Sequence, residues 1–168
     1  DIFLRSLMVE MIFVSFLMTS GKFGDVELAA TQILLQFLHI SSYGMDGFAF
    51  AAEVLVGQAV GKSNRFMLRE AVIKSGLWTF TIAVFLALIY ALFGALFIKI
   101  MTTSDEVRLA SETFLIFIVL VPIFGALPFL MDGIFIGATR SIDMRNMMSL
   151  SLIIYVVSAY VFMDLYGF

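Results

Sequence analysis

Cysteine is absent from this 168-residue chain, which excludes disulfide bonds and thiolate metal sites. Proline occurs twice, histidine once, and charged residues make up only 14% of the chain. A soluble domain carries about a quarter charged residues, so this shortage leaves too little polar surface to face water. The net charge of −3 carries little information, because the place of each charge matters more than the sum. No nucleic-acid partner, cofactor or metal is expected. Also missing are an initiator methionine and a charged leader with a small-residue cleavage site. The first apolar segment therefore does not read as a signal peptide, and the chain is expected to be a fragment.

What is present is apolar. Hydrophobic residues make up 62% of the chain, with 19 Phe and 11 Met. That exceeds what one soluble core could hide, so the expected solvent is a bilayer and the expected class an all-α polytopic membrane protein, one domain over residues 1–168. Five apolar segments, about 2–20, 28–60, 75–101, 107–138 and 147–166, are each long enough to cross. Short connections rich in turn residues separate them. Thr103 with Glu106 has the form of a capping box that would start the fourth helix. The second and fourth segments are over-long. Gly44 and Gly47 are candidate bend points in the second, and Pro122 and Pro128 predict a kink in the fourth.

If the spans alternate, Arg5, Lys62, Arg65, Arg69, Lys74, Arg140 and Arg145 fall on one side, and Lys22, Lys99 and Arg108 on the other. The positive-inside rule then puts the N-terminal end of this chain in the cytoplasm.

Polar atoms concentrate on the second segment. His39, Asp46 and Glu53 follow one another at intervals of seven, each rotated about 20° from the last, and Gln32, Gln36 and Tyr43 extend the stripe. An ionised carboxylate in mid-membrane costs from about 3 to more than 10 kcal/mol, so the stripe is expected to line a helix bundle or an aqueous cavity. Glu10 on the first span and Asp132 on the fourth are further acids inside apolar runs. No basic side chain is expected at similar depth, and that imbalance favours protons or cations as the bound species. The bland reading is that each acid, protonated, hydrogen-bonds within the bundle. A lone membrane histidine such as His39 is more often a packing residue than a ligand, and Glu53 lies near enough to the helix end to act as an anchor.

Two G-x-x-x-G spacings, Gly57 with Gly61 and Gly133 with Gly137, mark faces where helices can approach closely. Each follows an acid and precedes a basic connection.

The strings "MDGFAFAAEVLVGQAVGK" (Met45 to Lys62) and "LMDGIFIGATRSIDMRN" (Leu130 to Asn146) resemble the C-terminal half of DinF-type members of the MATE (multidrug and toxic compound extrusion) family. The likeness covers nearly the whole chain. It implies most of the C-terminal six-helix lobe of a twelve-helix, inner-membrane transporter, with Arg140, Arg145 and Asn146 in a cytoplasmic loop motif. It also implies a missing N-terminal lobe as partner, and a secondary antiporter that exports amphipathic compounds in exchange for H+ or Na+ without covalent chemistry. In the sodium-coupled branch, acids on the helices that carry Glu10 and Asp132 here bind the ion. In the DinF-type branch the proton-binding Asp lies on the first helix of the other lobe.

Three alternatives stay open. A lipid-linked saccharide flippase or an organic-acid exporter of the same superfamily would need cavity Lys or Arg, and none is expected in these spans. An intramembrane aspartyl protease would use Asp46 and Asp132 as a dyad. Its Tyr-Asp and Gly-x-Gly-Asp signatures are absent, since Asp46 follows Gly-Met and Asp132 follows Leu-Met.

Overall fold

The computed structural model describes residues 2–22 and 24–166. Six helices account for the regular structure among them: α1 (Ile2–Ser20), α2 (Asp25–Gly61), α3 (Arg65–Met101), α4 (Asp105–Thr113), α5 (Leu115–Gly137) and α6 (Ser141–Tyr166). Among the described residues, four helices are long and apolar enough to cross a membrane: α1, α3, α5 and the Ser141–Ala159 part of α6. The second of the five expected spans, which is α2 here, is not among them by composition. Its 37 residues, about 55 Å of helix, lie in the middle of the bundle against α3 and α5. Neighbouring helices there take over the role that lipid-facing apolar side chains play elsewhere.

Segment boundaries differ from expectation in four places, each for a local reason. The third helix begins at Arg65 rather than near residue 75, because Asn64 caps it: its Oδ1 accepts from the backbone N–H of Phe66 at 3.0 Å and of Met67 at 3.1 Å. The last helix likewise begins at Ser141 rather than near residue 147. The fourth segment is two helices. Phe114 separates them, with its N–H turned onto the Ser111 carbonyl in a tightened turn at 3.2 Å, whereas helix runs unbroken through Pro122 and Pro128. The N-cap of α4 is Ser104, not Thr103; the Thr102 hydroxyl instead accepts from the Ser104 N–H. Helix α2 also runs unbroken through Gly44 and Gly47.

Helices α2, α3 and α5 form the centre, α4 leans on α2, and α1 pairs with α6 along the flank. Small side chains make the centre tight. The buried positions of α3 are Ala71, Ser75, Thr79, Ala83 and Ala87, four apart, followed by Tyr90, Gly94 and Ile98. On α5, Gly133 and Gly137 bring its backbone onto the backbone of α2. A Cβ at Gly133 would lie 2.9 Å from the Ala49 carbonyl carbon, and one at Gly137 3.0 Å from that of Glu53. Both contacts advance together, so α2 and α5 run side by side in the same direction. Gly57 joins this seam more loosely, since a Cβ there would lie 3.4 Å from the Gly137 carbonyl oxygen. Gly61 does not, since it ends α2 with open space around it.

Toward the α4 end, Phe37 packs edge-on against Tyr90 with ring centroids 5.2 Å apart, amid Ala30, Ile33, Ile98, Val107 and Ile118. The Tyr90 hydroxyl donates to the Phe37 carbonyl at 3.2 Å and lies 3.0 Å from the Ser41 hydroxyl. The flank uses polar contacts instead. Ser15 on α1 meets the Tyr155 hydroxyl on α6 at 2.9 Å, and the Ser149 hydroxyl donates to the Met8 sulfur at 3.5 Å.

Both α2 and α5 end in the same turn. Asn64 N–H donates to the Ala59 carbonyl and Arg140 N–H to the Phe135 carbonyl, each closing a six-residue loop over a left-handed residue, Ser63 (φ 50°) and Thr139 (φ 57°). Thr139 is β-branched and strained there. Thr139→Gly is expected to raise the melting temperature of the purified full-length protein in detergent. Relief of about 1–2 kcal/mol outweighs the extra freedom of an unfolded glycine, about 0.5–1 kcal/mol. A lower melting temperature would show that the Thr139 hydroxyl, bonded to the Ala138 carbonyl at 2.7 Å, matters more than the strain.

Candidate functional site

Within this chain the polar stripe of α2 divides into an exposed part and a half-buried part. Its first part, Gln32, Gln36, His39 and Tyr43, is exposed, and the Tyr43 side chain is 76% open. The His39 ring leans on Phe13 of α1 with centroids 6.2 Å apart. Asp46 and Glu53 are half-buried. Met45, Ala49, Ala52 and Val56 are buried, with Asp46 and Glu53 at the edge of that face, whereas in the preceding turns Ile33, Phe37 and Ser41 are buried and Gln32, Gln36, His39 and Tyr43 face outward. The backbone of Glu53 lies against Gly137, consistent with a structural position. Glu10 is exposed on α1, outside the cavities that take in Arg5 and Asp132.

Asp46 and Asp132 are brought together. Both line a cavity of about 340 Å³ enclosed by α1, α2 and α5, with Phe13, Ser42, Met45 and Phe129 among its apolar and hydroxyl-bearing walls. The Ser42 hydroxyl donates to the Leu38 carbonyl at 2.9 Å, so its oxygen still has capacity to accept.

A third charged group at this place was not foreseen. Arg5, expected to be one of the cytoplasmic-side charges, projects from the first turns of α1 into the same cavity. Its Nη2 forms an ion pair with Asp132 Oδ2, and both side chains are about a quarter exposed. It also interacts electrostatically with Asp46. The expectation that no basic side chain reaches the acids is thus corrected. Arginine carries a long apolar stem, so a residue near a helix start can place its charge well away from its own backbone. The signal available in sequence was its position, about a turn and a half before Glu10 on an otherwise largely apolar helix.

The Arg5–Asp132 pair is also a partition. On its other side lies a second cavity of about 510 Å³ between α1, α5 and α6, lined by Met131, Met144, Met147 and Met148 together with Leu127 and Phe135. Flexible methionines make an adaptable apolar wall. Across both cavities Arg5, Asp46 and Asp132 are the ionisable groups among the described residues. No group of three or more His, Asp or Glu side chains among the described residues is placed to hold a metal ion.

Past the α2–α5 seam, Arg140 pairs with Asp143 at 2.6 Å, and Arg145 donates to the Asn146 side-chain oxygen at 3.0 Å. These bonds stay within the first turns of α6, which they stiffen at its start.

Residues 2–161 match the MatE family model. DNA damage-inducible protein F of Escherichia coli (strain K12) is 33% identical to the chain over 155 residues, covering 90% of this chain and 33% of that protein. The chain therefore spans about a third of the length of the curated relative it matches. No solved structure matches it significantly.

Proposed function

Because the chain belongs to the MatE family, we propose that it is part of a secondary active antiporter of the inner membrane that exports amphipathic organic compounds in exchange for H+ or Na+. The observation that carries this reading is the cavity in which Asp46 and Asp132 meet around a single arginine. Two carboxylates and one guanidinium leave one negative charge in a place where lipid and packed helices supply little solvation. A site of that balance attracts one further positive charge and releases it when the surroundings change. The exposed His39, Tyr43 and glutamines of α2 supply a polar, aromatic face for a second lobe or a substrate. The basic connections at the ends of α2 and α5 favour an N-terminal end in the cytoplasm.

Arg5 bears on the alternatives too. It meets the need of an anion exporter for a cavity cation, but two acids more than offset its charge, so the cavity still favours cations. It also weakens the protease reading. A catalytic aspartate dyad shares a proton, whereas here one aspartate is held by a guanidinium that does not release its own.

The test is efflux of ethidium, an amphipathic cation, from cells that express the full-length protein. Asp46→Asn is expected to lower efflux about tenfold or more at unchanged membrane abundance. Efflux at the wild-type rate would remove Asp46 from the coupling path. A wild type that exports no amphipathic compound would end the exporter reading itself.

A further inference from the structure

The two aspartates of the cavity are not equivalent. Asp132 is in direct ion pairing with Arg5, whereas Asp46 lies across the same cavity and feels the guanidinium only through space. The guanidinium charge is fixed at any pH the protein meets, so it cannot itself be exchanged. The cavity on the α6 side adds methionines and Ser151 but no further ionisable group, so no second cation is available to Asp46 among the described residues.

We propose that Arg5 is a positioning residue that holds Asp132 neutralised and so leaves Asp46 as the carboxylate that takes the exchangeable positive charge, a proton or an alkali cation. This rests on the exporter reading for its transport consequence but not for its charge arrangement. Removing Arg5 leaves Asp132 a charge without its partner, and removing Asp132 leaves Arg5 only its through-space interaction with Asp46, while removing both leaves Asp46 intact with the same net charge around it. Arg5 therefore matters through Asp132 and not through contact with the exported compound.

The two readouts are ethidium efflux in cells and melting of the purified full-length protein in detergent. Arg5→Gln and Asp132→Asn are each expected to lower efflux about tenfold, and the Arg5→Gln, Asp132→Asn double variant to regain most of it. Arg5→Gln combined with Asp46→Asn is expected to stay inactive. In melting, Asp132→Asn and Arg5→Gln should each lower the transition and the first double variant should recover it, whereas Asp46→Asn alone should not lower it. Recovery by the Asp46 double variant instead, or equal melting losses for Asp132→Asn and Asp46→Asn, would overturn the assignment. The melting cycle needs no transport, so it judges the charge arrangement even if the exporter reading fails. Replacing Na+ by choline at fixed pH separates the two ions: lost wild-type efflux supports an alkali cation at Asp46, and retained efflux supports a proton.

Discussion

Gly133→Val is expected to prevent stable folding of the protein. The Cβ alone would press into the carbonyl of Ala49, with the Ala49 Cα at 3.1 Å, and these are backbone atoms of the neighbouring helix that no rotamer change can move aside. Separating α5 from α2 would loosen the most extensive helix contact in the chain. Overpacking of this kind typically costs about 1–3 kcal/mol, and more where backbone has to shift. Since a domain has only about 5–15 kcal/mol of stability, Gly133→Val should sharply reduce membrane-inserted protein, and Gly133→Ala should lower the melting temperature measurably. Gly47→Ala and Gly61→Ala are the controls. Neither added methyl meets anything within 4 Å, and alanine is the better helix former, so both should fold at least as well as the wild type. Wild-type melting of Gly133→Val would refute the seam.

Phe37→Ala is expected to have the next largest effect, about 3 kcal/mol. The side chain is 2% exposed and touches α3 through Tyr90 and Phe97, so its removal empties the middle of the cluster beneath α4. Inside a membrane no water is expelled by packing. The loss is of contacts and of the edge-on ring pair, which lipid cannot replace at a site closed on all sides. Thermal melting of the purified protein measures it. Phe37→Leu should lose less than half as much, and equal melting of Phe37→Ala and wild type would show that the cluster contributes nothing.

Much of this architecture was legible because membrane helices announce themselves. Long apolar runs interrupted by Gly, Lys, Ser and Asn at residues 61–64 and by Thr and Ser at 102–104 could hardly be read otherwise. Helix ends were harder. Residues 65–74 carry four charges and read as part of the connection, yet the Asn64 cap and good helix formers extend α3 through them. The polar stripe was readable as a spacing but not as a surface, since spacing does not say which neighbour covers each turn. The small-residue ladder of α3 left no mark on a reading guided by charge. Arg5 was the larger omission. Pairing between residues more than a hundred positions apart depends on which helices adjoin, and local periodicity does not contain that. One trace did exist: Met45-Asp46-Gly47-Phe48 and Met131-Asp132-Gly133-Ile134 are near copies, and the structure brings both aspartates to the same cavity.

The glycine seam sets the mechanics of that cavity. At Gly133 and Gly137, α5 meets α2 backbone to backbone, with no side chain between them there whose rotation would let one slide past the other. Helix α1 is held differently, resting lightly on α2 and pairing along α6 through side chains such as Ser15 with Tyr155 and Met8 with Ser149. The cavity thus has two walls locked to each other by backbone contact and a third held by side chains alone, and that third wall carries the arginine. A shift of α1 alone would change the distance from the guanidinium to both aspartates and leave the spacing of the two aspartates unchanged.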